Sequence, residues 1–169
     1  MMKKIYRIYL LLLAILRLFF SVETTNVFAQ GEDYAQLVLG TRDTMINLSA
    51  DEAMTAVQRQ GRYGKKTSIS DKSIYLYIDI ADSFMYDLPD NTPVEITVEY
   101  YDEGTGSFEL NYDSNQPEVM DIYSAGDAVS LTNTGEWKSY TWHIEDGRFS
   151  NRVVGGKDFR IGVWGISMG

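Results

Sequence analysis

Three runs decide the fold: IYLYIDI at 74–80, VEITVEYY at 94–101 and SFELNY at 107–112. In the first, Ile74, Leu76, Ile78 and Ile80 alternate with Tyr75, Tyr77 and Asp79. In the second, Val94, Ile96, Val98 and Tyr100 alternate with Glu95, Thr97, Glu99 and Tyr101. In the third, Phe108, Leu110 and Tyr112 alternate with Glu109 and Asn111. Successive side chains of a strand point to opposite faces, so this period of two marks strands with one buried face and one wet face. A face buried on one side must be covered, usually by a second sheet. The expectation is an all-β antiparallel sandwich of the jelly-roll kind.

Further strands follow. WKSYTWHI (137–144) places Tyr140, Trp142 and Ile144 on one face and Trp137, Ser139, Thr141 and His143 on the other. Each face carries a Trp, so the pattern leaves open which is inside. FRIGVW (159–164) turns Phe159, Ile161 and Val163 inward and Arg160 and Trp164 outward. Residues 37–39, 119–123 and 128–131 read as short strands. Gly104 and Gly106 supply a hairpin turn. Phe84 and Phe149 are expected to anchor the long connections to the core.

The segment around Ser49-Ala-Asp-Glu52 fits a helix-capping box, but Thr55, Val57, Arg59 and the following glycines favour strand or irregular structure over 55–69. Within it, RQGRYGKKTS (59–68) is the one basic segment after residue 29. It is expected to be a solvated loop, with a site for acidic glycans as the sharper alternative.

Residues 1–29 read as a secretory leader. Lys3, Lys4 and Arg7 precede an apolar run from Ile8 to Leu16, and Val27-Phe28-Ala29 offers a peptidase site before Gln30. Residues 30–169 are then the exported domain, extracellular or periplasmic. That part keeps 11 Lys+Arg against 23 Asp+Glu, a net charge of −12. Such a balance disfavours nucleic acid and anionic membranes as partners. Without Cys there is no disulfide, thiol nucleophile or thiolate metal site. The domain is large enough to manage on its core alone.

Catalytic chemistry finds little purchase. The sole His, His143, lies inside a strand, and no metalloprotease, serine-hydrolase or phosphate-loop motif occurs. Glu95 and Glu99 share a strand face, as carboxylates on wet faces commonly do. No catalytic residue is assigned, and the chain is read as a non-enzyme. Binding is better supported. Sugars offer apolar C–H faces ringed by hydroxyls, which suits exposed aromatics beside Asp, Asn and Arg. Tyr101 with Asp102, and Trp164 with Arg160, fit that description. Tyr75 and Tyr77 form a further outward pair.

Asp82-Ser83-Phe84 at a strand end, VEYYDEGTGSFELNYDS, Trp137-Lys138 and the Phe149 to Ile161 stretch together resemble the galactose-binding-like β-sandwich domains of secreted bacterial carbohydrate-active proteins. The likeness covers about residues 60–162. It implies a carbohydrate-binding module acting on polysaccharide or glycan. Some such modules hold a structural calcium, but no ligand set matches here residue by residue. Members also close with a final strand beside the N-terminal one. This chain stops at GISMG, so the expected sandwich lacks it. The expected function is a non-catalytic carbohydrate-binding or accessory domain. The alternatives are the N-terminal piece of a glycoside hydrolase with its catalytic domain beyond residue 169, or a surface structural or adhesion domain.

Overall fold

A computed structural model describes residues 6–11, 34–38, 44–51, 55–66, 74–115 and 123–167. The described residues form strands and loops without helix. The strands are β1 (Tyr6–Leu11), β2 (Tyr34–Val38), β3 (Thr44–Ile46), β4 (Leu48–Asp51), β5 (Thr55–Arg59), β6 (Arg62–Lys66) and β7 (Tyr75–Ile80). They continue with β8 (Val94–Tyr101), β9 (Thr105–Asp113), β10 (Tyr123–Ala125), β11 (Val129–Ser130), β12 (Trp137–Ile144) and β13 (Phe159–Ser167). One sheet runs β12-β8-β1-β2-β3 and the other β10-β9-β13-β7-β4, with β11 also on β9. A separate hairpin joins β5 and β6. Every pairing is antiparallel except those of β1, which lies parallel to both β2 and β8.

The alternation in the sequence becomes the core. Leu76, Ile78 and Ile80 of β7, Phe108, Leu110 and Tyr112 of β9, and Phe159, Ile161 and Val163 of β13 line one inner face. Val94, Ile96 and Val98 of β8, with Ala35 and Leu37 of β2, face them. Trp142 settles the question left by β12: it is buried with Ile144, and Trp137 is on the outer face. Aromatic edges tie the sheets together. Tyr100 meets Phe108 edge-on at 4.8 Å, and Phe108 meets Trp142 at 6.1 Å. Edge-to-face contacts of this kind add to what area burial alone supplies. The Trp142 indole fills the space that a side chain at Gly126 would need, and its Nε1 donates to the Asp127 carbonyl at 2.9 Å.

Phe149 anchors the β12–β13 connection as expected. It is fully buried, stacks on Tyr112 at 6.2 Å, and excludes any side chain at Gly147. Phe84 packs partly buried against the same core. The strand favoured over 55–69 is present as the β5–β6 hairpin, but the basic segment within it is not a solvated loop: Arg59 is paired to Glu103 at 2.7 Å and Arg62 to Glu99. The capping-box segment is strand β4 up to Asp51. The expected cleavage point at Ala29–Gln30 and most of the proposed 119–123 strand lie outside the described residues.

Replacing Phe149 by Ala removes a ring from a filled site and is expected to cost about 3–5 kcal/mol. Urea unfolding of the two proteins measures the difference.

Candidate functional site

The outer face of the β7–β13–β9 sheet gathers the chemistry. Register sets it out in rows. Arg160 lies between Tyr77 and Asn111, Gly162 between Tyr75 and Glu109, and Trp164 beside Ser107. The Arg160 guanidinium sits over the Tyr75 ring at 4.3 Å and within 5.8 Å of the Tyr77 centroid. Its Nε donates to Asn111 Oδ1 at 3.0 Å, and Nη1 donates to the Tyr77 hydroxyl at 3.3 Å. Asn111 Nδ2 in turn donates to Glu109 Oε1 at 3.0 Å. Trp164 meets Tyr75 edge-on at 5.7 Å and leaves 39% of its surface exposed.

The result is two files that converge on β13. One is aromatic: Tyr77, Tyr75 and Trp164. The other is polar: Glu109, Asn111 and Arg160. Gly162 lies where they meet, and a Cβ there would come 3.2 Å from the Tyr75 ring. The missing side chain lets the ring lean across the sheet. An aromatic file beside fixed donors and acceptors can hold an extended polyhydroxylated chain, with ring faces against C–H groups and the polar file against hydroxyls.

The two halves of the sequence-derived site do not come together. Arg160 and Trp164 share this face. Tyr101 and Asp102 belong to the other sheet, at the end of β8. Tyr101 lies opposite Trp137 on the outer face, with ring centroids 5.5 Å apart. The β5–β6 hairpin comes against that spot. Arg62 stacks on Trp137 at 4.3 Å, and Trp137 Nε1 donates to the Arg59 carbonyl at 3.1 Å. A cleft of about 350 Å³ remains there, lined by Arg62, Glu99, Trp137, Lys138 and Ser139.

Asp102 is fully buried and its carboxylate is taken up by the loop at 132–134 and by Lys138 at the start of β12. It accepts hydrogen bonds from the Thr132 and Thr134 backbone N–H groups and hydroxyls, from Asn133 N–H, and from Lys138 Nζ at 2.7 Å. Burial alone would raise its pKa. The bonds from Lys138, Thr134 and Thr132 outweigh burial and hold the carboxyl well below its usual range. Asp102 thus ties down a loop, in a way that sequence spacing alone does not reveal.

A second buried group of carboxylates closes the other end of the open face. Asp113 is fully buried against Arg152, with Oδ1 2.7 Å from Nη2, and also accepts from Ser150 N–H at 2.8 Å. Asp158 accepts from Ile80 N–H at 2.8 Å and from Asn151 N–H at 3.1 Å. Burial, reinforced by the charges of Asp79 and Asp113, pushes the Asp158 carboxyl up to about 7. Among the described residues no group of three or more His, Asp or Glu side chains is placed to hold a metal ion. His143 is exposed, its Nδ1 3.6 Å from Glu95.

Comparison with protein-family models, with curated proteins and with solved structures finds no match to this chain. The site is therefore read from its own residues. Tyr75 and Tyr77 were visible in the sequence as an outward pair. Asn111 and Gly162 were not singled out; a glycine in mid-strand, flanked by alternating apolar residues, was the available signal.

The two carboxyls work in opposite pH windows. The native Asp158 carboxyl keeps its proton up to about 7, whereas an unfolded one releases it near ~4. The folded state binds the extra proton in between, so this group makes stability fall as pH rises from about 4 to about 7. Asp158→Asn is expected to flatten that slope in urea unfolding at pH 5 and 8. Asp102 has a lowered native pKa, so its contribution is present above ~4 and fades as pH falls below that. Asp102→Asn is expected to remove this acid-side loss and to speed amide exchange across residues 131–136 at neutral pH.

Proposed function

We propose that this chain is a non-catalytic carbohydrate-binding or accessory domain of a secreted carbohydrate-active protein, with a jelly-roll arrangement of its two sheets. Its ligand is a polysaccharide or glycan chain. The outward file of Trp164, which is exposed, and the half-buried Tyr75 and Tyr77, beside Arg160, is the observation that carries this reading. A row of large aromatics on an outer sheet face, with one indole exposed and ring positions fixed by a guanidinium and a bare glycine, offers an apolar surface for a ligand. The half-buried Arg160 and Glu109 supply a donor and an acceptor for sugar hydroxyls, and the buried Asn111 links the two. The acidic balance of residues 30–169 suits a neutral ligand better than an anionic one.

The ligand is expected to lie on the β7–β13–β9 face, leaving Tyr101 outside the contact. Titrating the protein with a panel of plant and bacterial polysaccharides, by calorimetry or affinity electrophoresis, tests this. Trp164→Ala and Tyr75→Ala are each expected to weaken binding at least about tenfold, as loss of a buried aromatic anchor does. Tyr101→Ala is expected to leave affinity unchanged. Absence of binding across the panel would sink the reading, and a loss confined to Tyr101→Ala would move the site to the other sheet.

A further inference from the structure

We propose that the place between β8 and β2, filled here by β1, is a strand-acceptor slot. Once the leader is removed, it takes an extended peptide strand from a partner protein, with apolar residues at every second position. The inference rests on the leader reading of residues 1–29, because β1 (Tyr6–Leu11) falls inside that segment. The strand is paired along both edges. Ile8 and Leu10 lie level with Ile96 and Val98 on one side and with Ala35 and Leu37 on the other. All four of those neighbours are buried. Tyr9 lies level with Thr97 and Gln36, and Arg7 lies level with Glu95 and Tyr34. The slot therefore specifies its occupant: apolar at two alternate positions, polar-tolerant between them.

Emptying the slot is costly. It strips the hydrogen bonds from two facing strand edges. It also leaves β2 and β3 joined to the rest of their sheet by nothing else in the strand order, which runs β12-β8-β1-β2-β3. A strand added from outside restores both losses at once, with backbone bonds giving affinity and the alternate side chains giving selectivity. β1 is also the one strand whose described pairings are parallel, so its direction is not imposed by a hairpin with either neighbour.

The test uses the full chain with a specific protease sequence placed after Ala29, folded first and cut afterwards. The probe is a fluorescent peptide of the sequence YRIYLL, followed by anisotropy and native mass spectrometry. The uncut chain is expected to ignore the peptide. The cut chain is expected to release its 1–29 fragment and take one peptide. Asp in place of both Ile8 and Leu10 in the peptide is expected to weaken uptake by at least about a hundredfold, because a charge would then stand level with the buried Ala35, Leu37, Ile96 and Val98. Equal uptake by the uncut chain would overturn the proposal, as would a cut chain that holds its own fragment against excess peptide. Failure of the emptied chain to take the peptide would overturn it too. Dimerisation of the cut chain in place of peptide uptake would make a second copy the occupant, contrary to the assignment. Polysaccharide affinity measured on the same samples follows Trp164 on the other sheet, so the two readings fail separately.

Discussion

A strand can hide only every second side chain, and in this protein that limit governs everything else. The alternate residues of β7, β9 and β13 close against those of β8, β12 and β2 to make one apolar interior. Each side chain that goes in commits its neighbour to go out. The outward residues therefore form ordered rows whose members come from strands far apart in the chain, and their composition decides what each outer surface can do.

The two outer surfaces have gone different ways. On the β8–β12 sheet, the rows Trp137–Tyr101 and Ser139–Glu99 meet the β5–β6 hairpin, whose arginines neutralise Glu99 and Glu103. On the β7–β13–β9 sheet, no such hairpin is seated over Tyr75 and Trp164 among the described residues, and Arg160 is used within the sheet to hold ring positions. A cation stacked on an aromatic ring gains from the ring's negative face while keeping its N–H edge for hydrogen bonds. One arginine thus fixes the aromatic file and heads the polar one.

Much of this was legible in the sequence, and the limits are physical. Period two located β7, β8, β9, β12 and β13, and it placed Tyr75, Tyr77, Arg160 and Trp164 outward correctly. It could not tell Trp137 from Trp142, because both faces of β12 carry a large ring and only the opposing sheet chooses between them. Asp102 had the look of an exposed ligand-binding acid, since it follows a strand and precedes a glycine turn. Its hydrogen-bond partners lie some 30 residues downstream, and nothing local announces them. The strand-and-turn pattern at 55–66 was legible, but its docking was not: its four basic residues suggested solvent, whereas the carboxylates that receive its arginines lie 37 and 44 residues downstream.

The fit of Trp142 over Gly126 bears on how such a sequence can drift. The indole fills the volume of a side chain that is not there, so the two positions make up a single steric unit. A larger residue at 126 becomes tolerable only in a lineage that has already shrunk 142, and the Gly147–Phe149 pair is under the same ordering. Correlated replacement at these two pairs, with each glycine changing second, is the evolutionary trace this packing should leave.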